Sequence, residues 1–256
     1  MPPTPTAYHR LNPLTKAVAA AVATLGAFVL GGYVGPLAIL GIGVVPAAAA
    51  ARVLARVTRF AVLLSLPIGV SIVLVSVFTR AGSTVLFTIG PFDATVEGVD
   101  FAGQILVRLL VISMALGLFG LTTAPRAFVV DLERRGLPPR VAFVAAATLE
   151  TIPAMIERAT SIAAAQRARA LDTEGSVLVR LRGVMPLVGP AILSSLTEVE
   201  ERSLALEVRA FGRPGRRHLL WTSPDSTLQR AVRWGLFVAL VAVIVGRASG
   251  TLPASP

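Results

Sequence analysis

For 35 consecutive residues, Ala17–Ala51, the chain carries no charge. No ordinary globular surface keeps so long a stretch away from water, so this segment must face something apolar. One bilayer crossing takes about 20 residues at ~1.5 Å each, which makes the stretch too long for a single span. Its middle, Gly31-Gly32-Tyr33-Val34-Gly35-Pro36, is turn chemistry. Two short helices joined by a tight turn are expected. Phe60–Thr79 reads as a third span and Phe101–Leu121, with Arg108 inside it, as a fourth. Trp234–Gly246 is short, but its apolar flanks and a snorkelling Arg247 extend it to a fifth.

The remaining charge is unevenly placed. Of 38 charged residues, 27 lie in 122–234 and only 11 in the other 143 positions. The expected fold class is therefore all-α: a polytopic membrane protein of about five transmembrane helices, with one polar section of long amphipathic helices. Residues 1–121 would hold spans one to four, 122–232 the polar section and 233–256 the last span.

Loop charges orient these spans. Arg10 and Lys16 precede the first, and Arg52, Arg56 and Arg59 follow the second, while the 31–36 turn carries none. Loop 80–100 sets Arg80 against Asp93, Glu97 and Asp100, and 122–233 holds sixteen arginines. Basic segments alternate with neutral or acidic ones, which puts the N-terminus and 122–232 in the cytoplasm and the C-terminus outside. Ala17–Leu30 resembles a signal-peptide core, but another apolar run follows at once, so a retained span is expected.

Composition excludes several chemistries. Without cysteine there are no disulfides and no thiolate catalysis or ligation. Two histidines are too few for the usual metal cluster, and the single lysine, Lys16, has no glycine-rich loop around it, so a Walker-type nucleotide site is not expected. The net charge of +10 follows from arginine on cytoplasmic loops, and 6% aromatics leave no base-stacking platform, which argues against a nucleic-acid partner. The spans contain almost no carboxylates of the kind that ion-coupled carriers use. Arg108 is expected either to pair with a carbonyl or a partner's side chain, or to serve as a gate or a contact with a substrate-binding subunit.

Within 122–233, Thr122-Thr123-Ala124-Pro125 starts a helix that stops at Arg134-Arg135-Gly136. Val141–Glu150 reads as a further apolar helix, and Pro153 should start or kink one reaching Leu171. Leu178–Gly183 is a short segment, followed by a long helix from about Pro190 to Phe211 carrying an i,i+4 pair, Glu198/Arg202. Thr122/Thr123 and Asp131/Glu133 read as caps and solvated faces. The two long helices end alike: Ala165-Gln166-Arg167-Ala168-Arg169-Ala170-Leu171 and Ala205-Leu206-Glu207-Val208-Arg209-Ala210-Phe211, with the arginines 40 residues apart. An arginine at a helix tip, flanked by a small residue, suits a bidentate bond to a partner's carboxylate or carbonyls. It equally serves as a solvated cap of the helix end.

These twin ends resemble the Ala-Arg-Gly signatures of the transmembrane T component of energy-coupling factor (ECF) transporters, the EcfT/CbiQ family. Leu11-Asn12-Pro13-Leu14-Thr15-Lys16 resembles the family's opening. Leu121-Thr122-Thr123-Ala124-Pro125 with Leu132-Glu133-Arg134-Arg135-Gly136-Leu137-Pro138 resembles its entry into the coupling domain, and Ile152-Pro153 falls in its first coupling helix. The sequence departs from the pattern at Ala170 and Ala210, where glycine is usual, and at Val208, where alanine is.

The resemblance implies a non-catalytic subunit, with no cofactor of its own, in a prokaryotic cell membrane. Its partners would be two ABC-type ATPase subunits and a membrane S component that captures a vitamin or a transition-metal ion. Ala168, Arg169 and Ala170, with Val208, Arg209 and Ala210, would meet the ATPases. The competing reading of the residues is a self-sufficient secondary carrier or channel. A membrane enzyme would need a constellation of carboxylates, histidine or serine that the chain does not offer.

Overall fold

The computed structural model describes residues 6–79, 84–89, 92–168, 177–211 and 224–249. Helix α1 (Pro13–Val29) begins where Asn12 caps it, accepting from the Leu14 amide, with Pro13 in the first position. A turn in which Gly32 takes φ +67° leads into a second apolar helix, Val34–Ala50. This helix comprises α2 (Val34–Ala38), a π-helical turn at Ile39–Val44, and α3 (Val45–Ala50).

A 26-residue helix follows, α4 (Leu54–Thr79), and then a short antiparallel hairpin of β1 (Val85–Ile89) and β2 (Phe92–Thr95). Nothing in the sequence reading anticipated that hairpin in loop 80–100. Thr95 then caps α5 (Val96–Thr122) through the Gly98 amide. Helix α9 (Thr227–Ala248) is the last described element. The helices α4, α5 and α9 are long and apolar enough to cross a membrane, and α1 and Val34–Ala50 are shorter apolar helices. The five predicted spans are all present as helices.

Helices α4 and α5 form an antiparallel pair whose spacing small residues set. A β-carbon on Gly69 would come within 2.5 Å of Leu106, one on Gly117 within 2.7 Å of Phe60, and one on Gly98 within 2.6 Å of the Ser76 carbonyl. The core is likewise built from small side chains, with Ala20, Ala48, Ala51, Ala61 and Ala115 packed around Val57, Met114 and Leu118. In lipid, association gains from close packing rather than from expelling water, so small residues belong at such contacts. Outward-facing positions such as Leu63, 77% exposed, carry the apolar surface instead.

The chain falls into two compact units, residues 1–131 with 222–256, and residues 132–221. Helix α6 (Pro125–Arg134) carries the chain out of the first unit. The second unit contains α7 (Pro139–Ala168) and α8 (Val177–Val208). Here the structure corrects the sequence reading. Pro153 neither starts nor divides a helix but lies inside α7, and the segments predicted at Leu178–Gly183 and from Pro190 onward are one helix, α8. Proline removes one helical hydrogen bond, and a 30-residue helix such as α7 retains the remaining ones. Helix α7 up to Ala165 also meets the length and composition of a span, although the sequence reading set it in the polar section.

Candidate functional site

Helices α7 and α8 lie antiparallel, and two contacts fix their register. Phe143, near the start of α7, packs at a tilt against Phe211, just past the end of α8, with ring centroids 4.7 Å apart. Farther along, the Arg158 guanidinium donates to Glu198 Oε2 at 2.7 Å, and Arg202 donates to Glu198 Oε1 at 3.0 Å. Sequence periodicity reveals the Glu198/Arg202 pair but not Arg158. One signal was available, because Arg158 precedes Arg169 by the same eleven residues by which Glu198 precedes Arg209.

Hydrogen bonding and the charge of Arg158, supported by Arg202, hold the Glu198 carboxyl below the usual carboxylate range. A group depressed in this way contributes stability above its ordinary pKa and loses it as pH falls through the lowered value. Spin-label distances between α7 and α8 are therefore expected to stay constant from neutral pH down through the ordinary carboxylate range. They should lengthen only in stronger acid, and lengthening near pH 6 would show that Glu198 does not set the register.

The predicted contact residues sit at the ends of these helices. Ala168, exposed, is the last helical residue of α7, whereas Arg169 and Ala170 lie outside the described residues. At the end of α8, Val208 is 88% exposed, and Arg209 and Ala210 are exposed as well. The stop is built by two backbone bonds, from the Phe211 amide to the Leu206 carbonyl (2.9 Å) and from the Ala210 amide to the Glu207 carbonyl (2.9 Å). This is a Schellman cap, with Ala210 in the left-handed position at φ +54°. Helix α6 ends in the same way, on Gly136 at φ +112°.

An alanine in that conformation carries strain that glycine lacks. Ala210→Gly is expected to stabilise the α8 end by about 1 kcal/mol, read as greater hydrogen-exchange protection of the Phe211 amide. Less protection would mean that the cap does not govern this helix end.

Ala168 lies ten residues beyond Arg158, and Arg209 eleven beyond Glu198, in opposite directions along the pair. At ~1.5 Å per residue the two helix ends are about 30 Å apart.

A second constellation is hidden in the sequence because its members are far apart in the chain. Asn12, fully buried, donates from Nδ2 to Asp131 Oδ1 at 3.0 Å, while its amide donates to Gln229 Oε1 at 2.9 Å. Lys16 Nζ donates to the Thr122 carbonyl at 2.9 Å, at the C-terminus of α5 where a cation is favoured, and to the His9 carbonyl at 3.2 Å. Arg233 chelates Asp225 with bonds of 2.9 and 3.0 Å and donates to the Thr15 hydroxyl at 2.8 Å.

Asp131 is thus 2% exposed rather than on a solvated face, and Thr122 and Thr123 are buried too. Arg233, counted among the sixteen cytoplasmic arginines, is a buried cross-link. Arg108 donates to Gln104 Oε1 at 3.5 Å, and Gln104 in turn donates to Asp100 Oδ2 at 2.9 Å, a ladder along one helix.

The profile of the CbiQ family, described as "Cobalt transport protein", matches residues 5–219. The chain belongs to the CbiQ family. Curated relatives agree. A protein of Heliobacterium modesticaldum named energy-coupling factor transporter transmembrane protein EcfT is 29% identical over 248 residues, 91% of each chain. The EcfT of Brevibacillus brevis is 32% identical over 157 residues, 57% of this chain and 59% of its own. That of Thermosediminibacter oceani is 30% identical over 154 residues, 55% and 58%.

As a member of this family the chain is a transmembrane component of an ECF transporter and a multi-pass membrane protein. The family's opening, Asn12-Pro13-Leu14-Thr15-Lys16, now has a physical role. Asn12 and Pro13 start α1, and Asn12, Thr15 and Lys16 tie that start to α5, α6 and α9.

Proposed function

We propose that the chain is the coupling subunit of an ATP-driven importer, docking two ABC-type ATPase subunits and a membrane S component that binds a vitamin or a transition-metal ion. The ends of α7 and α8 meet the ATPases, with Arg169 and Arg209 as the charged contacts and Ala168, Ala170, Val208 and Ala210 allowing close approach. ATP-driven movement of the ATPases displaces the two helices, and the displacement reaches the S component, which releases its cargo inward. Residues 1–121 and 233–256 form the membrane part, and 122–232 the cytoplasmic coupling domain, in the membrane of a prokaryote.

The observation that carries this reading is the antiparallel pair braced at Arg158–Glu198, with exposed helix ends about 30 Å apart. One such end serves one ATPase, and the brace makes two separate pushes act on a single body. Fixed cations at helix ends offer bidentate bonds to carboxylates or carbonyls in a groove.

The test is reconstitution in vesicles. With its ATPases and an S component, the chain is expected to support ATP-dependent uptake, and with the ATPases omitted, none. Uptake by the chain alone, driven by an ion gradient, would establish a self-sufficient carrier and overturn the proposal. The S component that co-purifies identifies the cargo.

A further inference from the structure

The chain leaves and re-enters its membrane unit at two places, after residue 131 and before residue 222. Each crossing has an aspartate close by on the membrane side. Asp131 is the last residue before the first crossing, and Asp225 lies three residues after the second. Both lead to the same short piece of backbone. Asp131 accepts from Asn12 (3.0 Å), and Asp225 holds Arg233, which donates to Thr15 (2.8 Å). Asn12 and Thr15 are the cap and the third residue of α1, one helical turn. Gln229 closes the ring by accepting from the Asn12 amide at 2.9 Å.

Of the residues of α6, Val129 and Asp131 are the buried ones, and Phe128 packs edge-on against Phe119 of α5, so the end of this helix nearest the crossing is seated on the membrane unit. The inner face of α1 beyond this turn is lined by Ala19, Ala20 and Ala23 and borders a cavity of about 60 Å³. Small side chains leave space on that face, and Lys16, bonded to the Thr122 and His9 carbonyls, is a further polar tether at the start of α1.

The geometry points to the first turn of α1 as the place where movement of α7 and α8 enters the membrane unit, with Asn12 and Thr15 as positioning residues that couple ATP hydrolysis to uptake. The inference rests on the function proposed above. Strain arriving along either chain crossing reaches α1 through an aspartate, so α1 moves with both. Hydrogen bonds to charged partners are the stiffest links available there, whereas apolar contacts slide.

The experiment uses the complete complex of this chain, its ATPases and its S component in vesicles, and measures substrate imported per ATP hydrolysed. Asn12→Ala removes the donor to Asp131, and Thr15→Val removes the acceptor for Arg233 at nearly constant volume. Each is expected to leave hydrolysis by the assembled complex and to lower the import-to-hydrolysis ratio at least about fivefold. The exchanged pair Asn12→Asp with Asp131→Asn rebuilds the hydrogen bond in the opposite sense while retaining a cap, and should restore the ratio.

A merely structural role would reduce the amount of complex without changing the ratio. An unchanged ratio in the variants that assemble overturns the inference, as does hydrolysis falling in step with import. If Asn12→Ala does not assemble, Thr15→Val and the exchanged pair decide the matter. ATPases absent from the wild-type complex would instead refute the proposed function itself.

Discussion

Replacing Arg169 and Arg209 together by glutamate is expected to leave the chain in the membrane and to strip it of its ATPases. Reversing the charge at a buried interfacial contact removes a charge-assisted bond and leaves the partner group facing a like charge, at a cost of about 2–5 kcal/mol per site. Two sites then lower the affinity by at least about a thousandfold. Folding is little affected at Arg209, which is exposed beyond the last helical residue of α8. There the new carboxylate opposes the helix dipole by only about 0.3–1 kcal/mol. Each single replacement should weaken recovery partially, because in the proposed function each end docks on its own ATPase. The measurement is co-purification of the ATPases with the double variant, and undiminished recovery would remove the coupling role from these helix ends.

The largest loss of stability is expected from Arg233→Met. The residue is 7% exposed, and its guanidinium chelates Asp225 and bonds Thr15, so methionine fills much of the volume but leaves Asp225 without its bidentate partner. Deleting one member of a buried ion pair costs about 3–5 kcal/mol. For a chain of this size that corresponds to a fall of roughly 10 °C in the unfolding midpoint. The double change Arg233→Met with Asp225→Leu should recover much of the loss, since removing both charges also removes the buried unpaired one. Thermal unfolding in detergent of the single and double variants distinguishes a true buried pair from an incidental one. A single variant as stable as the wild type would show that the pair is solvated.

How legible each feature was follows from how local its cause is. The five apolar segments, the turn at 31–36 and the start of α6 were readable because charge-free runs and Thr-Ala-Pro act over a few residues. The end of α8 was readable for the same reason. Its left-handed alanine was not, because Ala210 prefers the helix and only the closed cap holds it at φ +54°. The helix start expected at Pro153 and the break before Pro190 did not occur, since local propensity yields to a long helix whose other hydrogen bonds persist.

Charge was the least legible property. Asp131 and Arg233 look like surface residues in sequence, yet their partners lie 119 and 218 residues away in Asn12 and Thr15. By itself the sequence determined the all-α, polytopic membrane class, the position of the apolar helices and, through the resemblance of its motifs, the family. The tertiary structure decided which of those charges are buried, that α7 and α8 run antiparallel around Arg158–Glu198, and that both chain crossings tie to the first turn of α1. The physical reason is range. Hydropathy and turn chemistry act between near neighbours, whereas a buried hydrogen bond depends on which distant side chain the fold brings within 3 Å.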